Sequence, residues 1–432
     1  MIMQIFLYIT FILMIFFMIL SNKFYNQIFN PVFLILFFYL IWFLMGRSGY
    51  LGQYKPTYVS SLFLASNIIL LCISTVVSTS SKKIWILKMK QIRMSDNYKN
   101  IILQFVRWFS FILSVFIFIN LFKKILGGDI MSTQVRNISY SVSYNSDEYM
   151  KIYYNPTIYY IYQYFIRGFA FFDMVYSTCM FFGSKKKYEL ITIANFLLFV
   201  TIMQSRIEVL KLVIFIILIV CLSNIKITEK GKKYLIRVSV IISIPTLIVF
   251  SLRTNSNVNV IKHSIDSFII DHSGSNYMFS KFFDEYNEGL RLSNYSIIQE
   301  YIGGINSFID SLKTLFNIPI LDNDEMLRYI RAPHYIGSSD HYNYFYTMYF
   351  KFLDTGGYLG CYLFSVFLGV FLGFSYNKYM TKNNIKSLYI LSLLTYISVM
   401  GTYNYILSGT SSLILFLGLL IVEDNKVQIE NR

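Results

Sequence analysis

The sequence predicts an all-α, polytopic integral membrane protein of about eleven (10–12) transmembrane helices with one large external loop. Three observations carry that prediction. Only 14% of the 432 residues are charged while 55% are hydrophobic, where a soluble domain carries roughly 25% charge. The apolar residues come in runs of about 17 to 25, the length that a bilayer core of ~30 Å demands of a helix. The basic residues gather in alternate short loops between those runs, as the positive-inside rule requires. A cytosolic enzyme, a secreted domain and a disordered chain are excluded.

The apolar runs lie near 2–20, 29–46, 57–79, 101–122, 157–182, 189–204, 207–223, 238–252, 343–377, 387–404 and 406–422. The first has no basic residue ahead of it and no small-residue cleavage site behind it, so it reads as a retained span and not a signal peptide. The ninth is too long for one straight helix. Asp354, Gly356 and Gly357 break it, which makes Tyr342–Leu353 an external or re-entrant piece leading into a helix from Tyr358. Further along, Gly369 and Gly373 in FLGVFLGF form a small-residue face suited to close helix packing. Cys72, Cys179, Cys221 and Cys361 each sit inside an apolar run with no C-x-x-C pair, and read as small buried side chains.

The basic loops run from Lys82 to Lys99, over Lys185, Lys186 and Lys187, from Lys226 to Arg237, and from Lys378 to Lys386. They are placed in the cytoplasm, with the C-terminus cytoplasmic and the N-terminus outside. The net charge of +15 is thereby topology, and no nucleic-acid partner is needed to explain it. Three regions follow: a bundle of about eight helices over 1–252, a large external loop over 253–342, and C-terminal helices with a cytoplasmic tail over 343–432.

The large loop is where chemistry is expected. It holds all four histidines (His263, His272, His334 and His341), and from 254 to 341 it carries 11 acidic against 6 basic residues, a net −5 against the chain's +15. Within it Ile298, Tyr301, Ile302, Ile305, Phe308, Ile309, Leu312, Leu315 and Phe316 are spaced as one face of a helix lying on the surface or capping the bundle. Loops longer than ~15 residues are usually functional or disordered, and this one does not have a disordered composition.

Ionisable residues near membrane spans are functional candidates by default. Arg206 and Glu208 occupy a tight turn between two spans at the external face, and Arg253 ends the eighth span on the same side. With Arg331 from the loop, these arginines suit phosphate, because the planar guanidinium stays charged and binds bidentately. Snorkelling at a span end is the structural alternative. Arg167 and Asp173 are six residues apart, about 240° around a helix, so each must find its partner on another helix. Arg107 lies near enough to the cytoplasmic end of its span to snorkel. The stretch Arg331 to Asn343 concentrates acid–base groups: His341 first and His334 second as the base, with Asp340 to orient it. No metal site is expected, since His263 and His272 fit no ligand spacing.

These residues resemble a family. About eleven spans, one large loop in the second half, Ser205-Arg206-x-Glu208 at the start of a span, and NYFYTMYFKFLDTGGYLGCYLFSVFLGVFLGF after the loop are similar to the O-antigen polymerases, the Wzy-type oligosaccharide repeat-unit polymerases. The counterparts of that family's T-x-F and D-x-G-x-x-G stretch are Thr347, Phe350, Asp354, Gly356 or Gly357, and Gly360. An R-x10-G loop motif found in some members is absent: Arg291 meets Gly303 and Gly304 one or two places late. The stretch Asp340-His341-Tyr342-Asn343 is similar to the His-Asn region of O-antigen ligases.

The resemblance implies a multi-pass protein of the bacterial inner membrane whose large loop is periplasmic. It implies transfer of a growing glycan from undecaprenyl pyrophosphate to a hydroxyl of the next lipid-linked repeat unit. Arg206, Arg253 and Arg331 would hold the pyrophosphate, and His341, His334 and Asp340 would activate the acceptor. No cofactor and no nucleotide sugar are needed. The expected partners are the bilayer and the lipid-linked oligosaccharide, with a chain-length regulator left open. A ligase, or a lipid-linked oligosaccharide flippase or transporter, remains an alternative, although a flippase is expected to carry its charges inside the bundle.

Overall fold

The computed structural model describes residues 2–80, 96–129, 150–184, 186–204, 206–223, 260–292, 346–403 and 412–422, with short pieces and single positions between them that include 334–337 and 341–342. Among the described residues the chain is all-α apart from one two-stranded pairing. Six of the described helices are long and apolar enough to cross a membrane: Ile2–Tyr25, Pro31–Ser48, Tyr58–Ser80, Asn97–Leu126, Thr157–Ser184 and Tyr349–Lys382. The expected span 238–252 lies almost wholly outside the described residues. Of the expected apolar series from Ile298 to Phe316, Ile309 is described, and it is helical and exposed.

The helices are α1 (Ile2–Tyr25), α2 (Pro31–Ser48), α3 (Tyr58–Ser80), α4 (Asp96–Leu126), α5 (Arg167–Ser184), α6 (Leu190–Met203), α7 (Arg206–Ser223), α8 (Val260–Asn287), α9 (Tyr349–Lys382), α10 (Ile385–Met400) and α11 (Ser412–Ile421). They fall into two compact units. The first comprises Met1–Leu87, Ile265–Lys382 and Ile390–Gly409, and the second Lys88–Ser264, Asn383–Tyr389 and Thr410–Arg432.

In the first unit the turn between α1 and α2 is set by Asn30. Its side chain accepts from Phe33 N–H at 2.9 Å to cap α2, and donates to Ser21 Oγ and Asn22 Oδ1 at 3.1 Å, while Pro31 supplies the pre-set first residue. The closest approach is α9 on α3. A Cβ on Gly369 would overlap the Leu71 carbonyl, one on Gly373 would overlap Ser78 Oγ and the Thr75 carbonyl, and Ser78 Oγ donates to the Gly369 carbonyl at 3.4 Å. The expected glycine face is thus a packing face. Gly373→Ala is expected to force the two backbones apart, at a cost of about 1–3 kcal/mol. A thermal melt in detergent checks this, and an unshifted midpoint would mean that the pair relaxes freely.

One helix of this unit was not foreseen. Most of α8 lies where the sequence suggested loop, and its polar residues face inward. Ser275 donates to the Thr402 carbonyl at 2.6 Å, Asn276 to the Trp42 carbonyl at 3.2 Å, and Ser280 accepts from Thr57 N–H at 2.8 Å. His272 is buried between the rings of Trp42 and Tyr403, each with its centroid 4.7 Å away. A low-hydropathy helix can sit inside because its small polar groups find main-chain partners.

As expected from Asp354, Gly356 and Gly357, the run is broken: α9 is two helical pieces, from Tyr349 and from Tyr358, that meet at Gly357, whose φ of 61° and ψ of −158° are open to glycine alone. A Cβ there would also meet Tyr286 Oη at 2.9 Å. Asp354, one turn earlier, is buried and accepts the Leu292 N–H at 2.9 Å, so the break is tied to the end of α8.

In the second unit α5 continues the short helix Pro156–Ile161 through a π-helical turn, Tyr162–Ile166. α11 lies on α5 with Gly418 against the Phe172 ring, and Tyr389 donates to the Leu415 carbonyl at 3.0 Å. Arg107 does not snorkel. Its side chain is 4% exposed and is held by Asp173 and Glu189, because turning inward gives it two carboxylates.

Candidate functional site

The densest set of described chemical groups lies in the first unit, on the C-terminal half of α8. Lys281 and Glu285, one turn apart, face the same way, with Lys281 Nζ 3.9 Å from Glu285 Oε1. Lys281 Nζ is 3.2 Å from His334 Nδ1, and His334 Nε2 is 2.9 Å from the Tyr329 carbonyl. A lysine ammonium only donates, so Nδ1 accepts and the assigned tautomer carries its proton on Nε2, which donates to the carbonyl. The ring has no lone pair left over. Tyr329 closes the set by donating its hydroxyl to Glu285. Burial, the neighbouring Tyr346 and the Glu285 carboxylate push the Tyr329 phenol far above its ordinary range, so it remains a donor.

The floor beneath these groups is aromatic and comes from the start of α9. Phe350 lies 4.4 Å from Phe282, 4.3 Å from Tyr346 and 6.3 Å from Tyr329, centroid to centroid. Next to it Thr347 buries its hydroxyl with no partner among the described residues, an orphan that needs a ligand or water to satisfy it. His334 opens a short strand, β1 (His334–Tyr335), paired antiparallel with β2 (His341–Tyr342), with His334 opposite Tyr342 and Tyr335 opposite His341. The same segment is pinned to the α2–α3 connection, where Tyr54 N–H donates to the Ile336 carbonyl at 2.6 Å.

The expected site residues are therefore partly brought together. His334 is in the cluster, and the backbone of His341 pairs with Tyr335, the residue after His334. Arg206 is the first residue of α7, in the other unit. Arg253, Arg331 and Asp340 lie outside the described residues. Lys281, Glu285 and Tyr329 were missed by sequence reasoning. The available signal was Lys281-x-x-x-Glu285 in register with Phe282 and Tyr286 on one apolar helix face.

The second unit holds two further charged groups. Arg107 Nε lies 2.9 Å from both oxygens of Asp173, its Nη2 2.6 Å from Oδ1 and its Nη1 2.6 Å from Glu189, while Thr192 donates to Asp173 Oδ2 at 2.7 Å. Every feature of this network is that of a satisfied internal strut. Arg167 and Lys211 each donate to Glu208 Oε1 at 3.1 Å. Glu208 of the Ser-Arg-x-Glu turn is thus committed to two cations of its own unit. Among the described residues no group of three or more His, Cys, Asp or Glu is placed to hold a metal ion.

No family model matches this chain, and neither a characterised protein nor a solved structure matches it.

Proposed function

We propose that this protein polymerises undecaprenyl-pyrophosphate-linked oligosaccharide repeat units into O-antigen or a related surface polysaccharide. It does so as a multi-pass protein of the bacterial inner membrane with about eleven spans, a cytoplasmic C-terminus and a large periplasmic loop. One observation carries the reading. The stretch with the sequence resemblance, Thr347 to Gly360, is also the stretch on which the polar cluster is built: Phe350 stacks under Tyr329, and Asp354 anchors the end of α8.

The chemistry needs a base for an acceptor hydroxyl and cations for a pyrophosphate leaving group. His341 takes the first role, oriented by Asp340. His334, whose two nitrogens are already engaged, acts through Lys281 instead. Arg206, Arg253 and Arg331 take the second. Arg206 is the first residue of α7, where the unpaired N–H groups of the helix start also favour an anion. Arg206→Ala is expected to cut polymer yield by about 10²–10³-fold, the effect of removing one preorganised donor. Arg206→Lys should recover part of it, since a point charge replaces a fork. Polymer measured at matched protein level decides, and a normal ladder in Arg206→Ala would remove this residue from the site.

The experiment for the function as a whole is the gel profile of surface polysaccharide from a strain lacking the gene, with and without a plasmid copy. Core carrying a single repeat unit, with the ladder restored by the plasmid, is expected. Core with no repeat at all would point to a ligase, consistent with the Asp340 to Asn343 stretch, or to a flippase.

A further inference from the structure

The connection between α2 and α3, residues 49–57, is tied down along its length. Gln53 N–H donates to the Tyr50 carbonyl at 3.2 Å and closes a turn of 3₁₀ helix over Tyr50–Gly52. The buried Gln53 side chain accepts from Ser273 Oγ of α8 at 2.7 Å. At the far end Arg47 donates to the Pro56 carbonyl at 2.7 Å and lies 4.0 Å over the Tyr58 ring, so α2 and α3 both hold it. Against this fixed stretch lies the loop segment that carries His334, in the same compact unit. Gly337 bridges antiparallel to Gln53, Tyr54 N–H holds the Ile336 carbonyl at 2.6 Å, and the Ile336 side chain is buried.

We infer that the α2–α3 connection is a brace that positions the histidine hairpin, with Gln53, Tyr54 and Gly337 as its positioning residues. The inference rests on the function proposed above and adds what sets its acid–base groups in place. The hairpin cannot hold itself: β1 and β2 have two residues each, and an isolated pair of strands is marginal in water even when longer. A Cβ on Gly337 would meet the Gly52 carbonyl oxygen at 2.8 Å and its carbon at 3.3 Å. Both sides of that contact are main chain, so no side chain can turn aside to make room, and a larger residue must push the segment off the connection. From Gly337 the placement passes along the backbone. Three residues earlier His334 is directed onto Lys281 and the Tyr329 carbonyl, and β1 carries β2 through the pairing of Tyr335 with His341. A shift of about 1 Å in such a group can cost a reaction up to about 10²-fold.

The test treats the full-length protein in detergent with diethyl pyrocarbonate, which acylates an imidazole nitrogen that has a free lone pair, and maps the products by mass spectrometry. His334, buried with both nitrogens engaged, should react slowly in the unaltered protein. Gly337→Ala and Tyr54→Pro, which act from opposite sides of the contact, should each raise its rate about fivefold or more by opening the segment locally. Tyr54→Ala keeps the N–H that Tyr54→Pro removes, and should leave the rate within about twofold. His272, enclosed by the rings of Trp42 and Tyr403, is the internal control and should not change. With lipid-linked repeat unit extracted from the deletion strain as substrate, kcat should fall about tenfold in Gly337→Ala and Tyr54→Pro while KM moves less than about twofold, because a reacting group is displaced and no binding contact is lost.

Equal labelling of His334 in the unaltered protein and in both variants would overturn the inference. A rise at His272 as large as that at His334 in both variants would also overturn it, since the whole unit would then have loosened. His334 freed at full kcat would do the same, because the brace would position nothing that reacts. Labelling requires no polymerisation, so the two readings fail separately. A normal ladder in the deletion strain with His334 freed in both variants sinks the function alone, and a lost ladder with His334 shielded in both sinks the brace alone.

Discussion

Asp173→Ala is expected to destabilise the protein by about 3–5 kcal/mol, the cost of stripping one partner from a buried ion pair. Without Asp173, Arg107 is a buried cation short of its main partner. Asp173 is fully buried and receives three of its guanidinium contacts, at 2.6 to 2.9 Å, as well as the Thr192 hydroxyl. The other partner, Glu189, has a side chain 48% exposed, and a water-facing carboxylate compensates little of a buried charge. Glu189→Ala should accordingly cost below about 1 kcal/mol. The double replacement Arg107→Met with Asp173→Leu should be milder than Asp173→Ala alone, because it leaves no stranded charge. The tryptophan-fluorescence melting midpoint in detergent measures all three. A midpoint for Asp173→Ala equal to that of the unaltered protein would mean that water reaches Arg107, and the strut reading would be lost.

That network shows why some of the fold was legible and some was not. Arg167 and Asp173 could be assigned to partners on other helices from helical angle alone, and each has one: Glu208 for the first, Arg107 for the second. Which partner it would be could not be read, because Arg107, Asp173 and Glu189 are 66 and 82 residues apart in sequence. Position near a span end suggested that Arg107 would reach for water, and only the packing of α4 on α5 and α6 reveals a nearer solution. The spans α1 to α4, α5 and α9 were legible because run length is set by the bilayer, a constraint that acts on each helix separately. Gly369 and Gly373 were legible for the same reason, since spacing on one helix specifies a face.

α8 was illegible because hydropathy averages over all faces. Its outward residues include Lys262 and Asp284, and its inward residues are Ser273, Ser275, Asn276 and Ser280, so neither side raises the mean. Each inward group is satisfied: Ser275 by the Thr402 carbonyl after α10, Asn276 by the Trp42 carbonyl of α2, Ser273 by Gln53 and Ser280 by Thr57. The candidate site inherits the difficulty. Lys281 and Glu285 become chemically meaningful only once His334 and Tyr329 are folded back onto them, across separations of 53 and 44 residues. His334 was legible as a candidate by residue type, but its tautomer depends on Lys281.

His341→Ala is therefore expected to have the larger effect of the two histidine replacements, a loss of polymer of about 10²–10⁴-fold, the usual contribution of a general base. His334 accepts from Lys281 and donates to the Tyr329 carbonyl, so taking a proton there would first require Lys281 to leave. His341 sits across the strand pairing from Tyr335, two residues of backbone away from Asn343 and next to Asp340, in the stretch that carries a carboxylate able to orient it. His334→Ala should instead act through Lys281, released from its acceptor. It should lower polymer yield less, about tenfold, and His334→Gln should recover part of the loss, because the amide oxygen again accepts from an ammonium. A base has no such substitute, and His341→Gln should be as inactive as His341→Ala. Ladder intensity at matched protein level, for all four variants in one deletion strain, separates the roles. Full activity in His341→Ala would move the base to Asp340, and equal rescue of both histidines by glutamine would mean that neither one takes the proton.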